Sequence, residues 1–112
     1  MNLITYDDFL RVEICVGTII SAEENNNLKK PSIILIIDFG DKIGIKKSSA
    51  QLISNYECKN LINKQIAAVV NFPPKQIGNI ISEVLVLGFP DENNEPILVS
   101  PECKIKNGER LY

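Results

Sequence analysis

The sequence contains no histidine and no tryptophan, and only 6% of its 112 residues are aromatic. Without histidine the chain cannot build a Ser-His-Asp or Cys-His nucleophile arrangement or a histidine metal site, and it lacks the commonest general base. We therefore expect a protein that binds its ligand without catalysing a reaction.

Cysteine is also scarce, with three residues at wide spacing and no C-x-x-C pair. This spacing favours neither a disulfide framework nor a zinc site, so we expect Cys15, Cys58 and Cys103 to be reduced. There is no run of 18 apolar residues, and the N-terminus lacks the basic and apolar regions of a secretory signal. The sequence predicts a cytoplasmic protein with no membrane segment, and nothing in it indicates a metal ion or a cofactor.

Charge of neither sign dominates. Twelve Lys and Arg stand against fourteen Asp and Glu, for a formal net charge of -2. Nucleic-acid binding through bulk positive charge is excluded, and any such binding needs a local basic patch. At this length there is room for one modest core, so we expect residues 1–112 to form a single domain.

Apolar periodicity and turn residues divide the chain into short elements. The five predicted strands span residues 11–22, 33–37, 42–46, 65–71 and 82–87. Thr5 and Asp8 resemble a helix start before the first strand. Ser48 or Ser49 can cap a helix, and apolar residues follow at helical spacing, so one short helix is predicted there. Residues 72–81 read as a loop, and residues 97–99 as an outer strand.

Five strands with one helix between the third and the fourth is the element order of the OB-fold. The predicted class is therefore all-β, a five-stranded OB-fold barrel with flanking N- and C-terminal extensions. Small barrels of the SH3 type lack a full helix at that point. The extra C-terminal strands and the apolar segment 32–37 indicate surface that a second copy of the chain covers.

Five lysines lie where an OB-fold binds its ligand. That site is on the second and third strands and is bounded by two loops. Lys29 and Lys30 lie on the first loop, Lys46 and Lys47 at the end of the third strand, and Lys75 on the second loop. They could form an anion-binding rim. The alternative is that they only solvate the barrel surface.

The second loop offers a flat apolar surface at Phe72, Pro73 and Pro74, suited to a stacked base or an apolar peptide side chain. Alternatively, this rigid loop plugs the barrel mouth. Asn71 and Ser82 could read a ligand or tie the loop to its own backbone. We expect Glu83 to form a structural pair within the protein and not to take part in catalysis.

Five segments, in order and spacing, carry a resemblance to a known family. They are residues 8–17 (DFLRVEICVG), 37–52 (IDFGDKIGIKKSSAQL), 63–77 (NKQIAAVVNFPPKQI), 82–88 (SEVLVLG) and 107–111 (NGERL). Together they make the chain similar to the CsaA export-related chaperones. These form a branch of the tRNA-binding domain family, which also occurs appended to methionyl-tRNA synthetases.

The resemblance implies a homodimeric OB barrel without catalytic activity that binds unfolded precursor proteins and the secretion ATPase SecA. The alternative within the same family is a protein that binds structured tRNA. The implied site is a groove near Lys46, Ser49 and Gln51 with the loop 71–77, and with Ser82 and Glu83 at its edge.

The chain departs from the family pattern at three positions that are usually basic, which here hold Cys15, Gln76 and Ile81. If all three faced the ligand, phosphate affinity would fall by about an order of magnitude or more at moderate salt. This expectation favours an unfolded precursor protein over tRNA as the ligand.

Overall fold

The computed structural model describes residues 1–27 and 29–112. Its helices are α1 (Tyr6–Leu10), α2 (Gly40–Ile43) and α3 (Cys58–Leu61). Its strands are β1 (Ile14–Asn25), β2 (Ser32–Asp38), β3 (Ile45–Ala50), β4 (Gln65–Val69), β5 (Lys75–Ile77), β6 (Ile80–Ser82), β7 (Leu85–Val86), β8 (Gly88–Pro90) and β9 (Pro96–Leu98). The predicted all-β class is confirmed. Position 28, in the polar segment between the first two predicted strands, lies outside the described residues.

Five of the strands form one curled antiparallel sheet in the order β3-β2-β1-β4-β7. The long strand β1 pairs with β4 through residues 14–18 and with β2 through residues 18–25. A register shift between Ile19 and Ser21 marks a β-bulge, and Gly17, a residue type often found at bulges, lies before it and outside it. Gly17 instead permits a close approach of Ile37 and Phe39.

The core lies inside the curl of this sheet. Ile33, Leu35 and Ile37 on β2 are fully buried, and Ile19 and Ile66 face them from β1 and β4. The intervening residues of β2 are only half-buried. Although residues 33–37 are all apolar, β2 is thus fully covered within this chain on one face only.

The predicted helix exists between the third and fourth strands, but it begins at Cys58 and not near Ser48 or Ser49. Both serines belong to β3, and the Ser48 hydroxyl donates to the Val84 carbonyl across the barrel instead of capping a helix. Tyr56, one of the residues at helical spacing after these serines, accepts a hydrogen bond from the Leu98 N–H at its hydroxyl. Cross-barrel bonding therefore overrides the local helical pattern.

The two ends of the chain follow the sequence patterns more closely. Thr5 and Asp8 form the predicted capping box of α1. The predicted outer strand at 97–99 is β9, which pairs with β8. The segment predicted as a loop, residues 72–81, contains most of the β5–β6 hairpin around Gly78 and Asn79. Among the described residues, no helix has the length and apolar character needed to span a membrane.

Candidate functional site

A groove of about 390 Å³ opens at one end of the barrel, between the β4–β5 loop, the β5–β6 hairpin and β3. This volume lies within the usual range of ligand sites. Its lining consists of Ser49, Phe72, Pro73, Lys75, Ile77, Ser82, Glu83, Val84 and Leu85.

The groove brings together six of the eleven residues that the sequence singled out. These six are Ser49, Phe72, Pro73, Lys75, Ser82 and Glu83. They come from three stretches of chain that only the closing of the barrel places side by side. Whether each contacts a ligand remains a prediction.

The walls of the groove are mainly apolar. Phe72 and Leu85 are each 50% exposed, so their side chains lie open on the wall and do not fill the barrel interior. Ile77 and Val84 complete this apolar surface. Exposed apolar side chains along a concave surface are typical of a site that buries an apolar ligand.

The serines of the groove are engaged within the protein. The Ser82 hydroxyl donates to the Val84 carbonyl at 3.2 Å and accepts from the Ser49 N–H at 3.2 Å. The hydroxyls of Ser32 and Ser49 lie 3.0 Å apart and share a hydrogen bond. A ligand that used these hydroxyls would compete with bonds that hold the barrel closed.

Glu83 makes an internal pair, but its partner is a backbone and not a lysine ammonium. Its carboxylate accepts from the Lys47 N–H at 2.9 Å, and its own N–H donates to the Lys47 carbonyl at 2.7 Å. Lys75 is exposed and forms none of the ion pairs within residues 1–27 and 29–112. The groove therefore presents one cation beside apolar walls.

Two other predicted site residues lie outside this groove. Lys46 is paired with the fully buried Ile37, so it lies on the core-side face of β3, at a half-buried position. Asn71 ties its loop to the segment before β1, because its amide donates to the Arg11 carbonyl at 2.7 Å and accepts from the Glu13 N–H at 2.9 Å. Asn71 is therefore bonded to backbone, but to the segment before β1 and not to its own loop, and whether it contacts a ligand stays a prediction.

The remaining predicted residues lie at the margins. Gln51 is exposed and lines a second hollow next to the groove. Lys29 and Lys30 are exposed on the β1–β2 connection. Just before that connection, the end of β1 is joined to the tip of the β5–β6 hairpin by a hydrogen bond of 3.2 Å from the Asn25 amide to the Asn79 side-chain oxygen.

Sequence reasoning did not find Asn25, which is 4% exposed and shapes this junction. Its side-chain oxygen accepts from the Asn27 N–H at 3.2 Å while its amide reaches the hairpin. A run of three asparagines predicts a turn, but the pattern does not show which member is buried. Sequence reasoning also missed Leu85, because the apolar pattern of its strand suggests that its side chain packs in the core.

The three departures from the family pattern lie outside the groove lining. Cys15 is 5% exposed in β1, and burial followed by the charge of Glu13 raises the pKa of its thiol. Gln76 and Ile81 are cross-strand partners on the hairpin, on the face opposite to Lys75 and Ser82. The condition that all three face the groove is therefore not met.

Comparison with known proteins gives the family. A model of the tRNA binding domain matches residues 14–110, which is most of the chain. The chain belongs to this tRNA-binding domain family. It is 35% identical to the methionine–tRNA ligase of Methanococcoides burtonii over 99% of its own length, but it spans only 16% of that enzyme.

Solved structures place this tRNA-binding domain protein beside the CsaA chaperones. The chaperone CsaA of Bacillus anthracis superposes with a TM-score of 0.93 at 41% identity, covering 99% of this chain and 100% of that one. The CsaA chaperone protein of Picrophilus torridus gives a TM-score of 0.90 at 48% identity, covering 98% and 100%. The predicted CsaA-like fold and family are confirmed.

Proposed function

We propose that this chain is a cytoplasmic, non-enzymatic binding protein that holds exposed apolar segments of unfolded precursor proteins, acts as a homodimer and assists protein export. The observation that carries the proposal is the groove itself, with apolar walls at Phe72, Leu85 and Ile77. An apolar side chain gains free energy by leaving water in such a groove.

The polar groups of the groove support the same ligand. The side chains of Ser49, Ser82 and Glu83 are engaged in bonds within the barrel. Lys75 is the cation of the groove lining that can bind a ligand. An apolar segment with a nearby acidic group fits this arrangement. The two similar solved structures are also named as chaperones.

The second candidate is binding of structured tRNA, which the family match favours. Cys15, Gln76 and Ile81 stand where the family usually has basic residues, but all three lie outside the groove lining. The groove therefore loses no cation by these departures. Lys29 and Lys30 lie on the β1–β2 connection, and Lys75 is the first residue of β5 and lines the groove. Contacts from these lysines to phosphate would dominate such binding.

Fluorescence anisotropy with two labelled ligands separates the candidates: an unfolded precursor peptide and bulk tRNA, each titrated between about 50 and 200 mM salt. For the proposed function we expect salt-resistant peptide binding. Phe72→Ala should weaken it by about tenfold, since buried aromatic contacts dominate such sites. Ile81→Ala, on the opposite face of the hairpin, is the matched control and should leave it unchanged.

Salt-steep tRNA binding without peptide affinity would move the protein to the second candidate. In that case Lys75→Glu should reduce the slope of log affinity against log salt by about one or more. The resemblance also implies SecA as a partner, and labelled SecA in the same titration tests that part separately.

A further inference from the structure

The curled sheet does not close along its whole length. Its two outer strands are β3 and β7, and Lys47 and Glu83 bond their segments together at one end. Beyond this point, no hydrogen bond in the described part of the chain joins residues 49–52 to residues 85–88. Two strand edges therefore lie beside an open seam.

The groove continues along this seam. A second hollow of about 300 Å³ has residues 49–52 on one side and 85–88 on the other, with Pro96 and Leu98 at its far end. Ser49 and Leu85 line both hollows, so the two meet at these residues. The result is one channel with Lys75 at one end and Gln51 near the other.

An open strand edge carries backbone N–H and C=O groups that an extended polypeptide can pair with. The β3 edge already uses groups of this kind, since the Lys47 and Ser49 N–H groups bond to Glu83 and Ser82 at the closed end. β3 ends at Ala50, and the next residue on this side is Gln51, which lies in a tight turn beside the apolar walls. A nucleic acid lacks the regular amide donors and acceptors that would match it.

We propose that the seam between β3 and β7 binds an extended polypeptide segment, which bonds to the backbone just past the end of β3, at Gln51, and places apolar side chains in both hollows. This inference rests on the proposed function and names its binding mode. The wall from Glu83 to Gly88 is about 17 Å long at the usual strand rise, which accommodates roughly six ligand residues. Lys75 selects an acidic side chain at its end of the segment.

The test uses a labelled six-residue peptide of alternating Val and Thr with one terminal Glu, and two versions that are N-methylated at complementary sets of alternate residues. N-methylation keeps the side chains but removes the amide donors. We expect at least one methylated version to bind about tenfold more weakly or worse, the equivalent of one or more lost hydrogen bonds. Equal binding of all three peptides would overturn the seam proposal.

Variants of the protein test the same edge from the other side. The Leu52 N–H bonds to the Ala50 carbonyl, so Gln51 is the central residue of a tight turn whose φ a proline can adopt. Gln51→Pro removes one edge N–H, and Gln51→Ala keeps it. We expect only Gln51→Pro to weaken binding of the unmodified peptide, with thermal melts confirming that both variants fold.

Leu85→Glu at the junction of the two hollows should abolish binding of the unmodified peptide. Binding of an unfolded precursor that is weakened by Phe72→Ala but persists in Gln51→Pro would refute the seam and leave the proposed function intact. Failure of the wild-type protein to bind any peptide would refute the proposed function. Displacement of the peptide by a single-stranded RNA oligonucleotide of higher affinity would also overturn the inference.

Discussion

At Gly17, a side chain even as small as a methyl group would collide with the core. A Cβ atom there would lie 2.7 Å from Ile37 Cγ2 and 2.7 Å from Phe39 Cδ1. Both neighbours are fully buried, so neither can move away without disturbing its own packing. The absence of a side chain is what allows β1 to lie directly over this part of the core.

We expect Gly17→Ala to lower the free energy of unfolding by about 1–3 kcal/mol, the usual cost of overpacking. Urea denaturation measures this change. Ser21→Ala, at an exposed position on the same strand, is the control and should change stability by less than about 0.5 kcal/mol. If both variants unfold at the same urea concentration as the wild type, the collision is relieved at no cost.

At the scale of elements, the reciprocal bonds between Lys47 and Glu83 hold the end of β3 against the segment that follows β6. We expect Glu83→Ala to speed hydrogen exchange of the Lys47 amide, because the side-chain acceptor is lost. Glu83→Gln keeps an acceptor oxygen and should exchange more slowly than Glu83→Ala. Equal exchange rates in these two variants would show that the side chain does not protect this amide.

The β8–β9 turn depends on the carboxylate of Asp91. Its oxygens accept from the N–H groups of Asn93 and Glu95 and from the side chain of Asn55. These bonds lower the pKa of the carboxyl, and the bond from the Glu95 N–H has the largest effect. A lowered pKa in the folded state stabilises the fold above the unfolded-state pKa, and this contribution is lost as pH falls through the folded value.

We therefore expect acid to loosen this turn in the wild type, with chemical shifts of the Asn93 and Glu95 amides moving at a pH below the ordinary titration range of aspartate. Asp91→Asn removes the titrating group, so its amide shifts at this turn should not respond over that range. A midpoint in the wild type at or above the ordinary aspartate value would contradict the assignment.

At the scale of the whole molecule, the two chain ends meet on one side of the barrel. The Arg110 guanidinium donates to the Leu10 and Val12 carbonyls, and the Leu111 N–H donates to the Ile14 carbonyl at 2.8 Å. Helix α1 contributes no buried residue, and many apolar side chains of both ends are exposed. A second copy covering this surface would explain why they are apolar.

We expect the wild type to sediment as a dimer and Leu111→Glu to shift it towards the monomer, since a carboxylate in the interface would have to lose its water. Ile81→Glu is the control, because Ile81 is 53% exposed on the hairpin, away from the chain ends. A wild type that sediments as a monomer throughout the micromolar range would rule out the proposed dimer.

The sequence by itself determined the class of the fold and the family. Most of the strand patterns, the capping box of Thr5 and Asp8 and the presence of a helix between the third and fourth strands are local properties, which depend on neighbours a few residues away. The lack of histidine limited the chemistry in the same direct way.

Only the tertiary structure decided which residues share the groove. Ser49 and Ser82 lie 33 positions apart, and their hydrogen bond exists because the barrel closes there. Lys46 and Ser49 lie on the same strand but differ by an odd number of residues, so their side chains fall on opposite faces. The seam between β3 and β7 likewise depends on where pairing between distant strands stops, and no pattern of neighbouring residues contains that information.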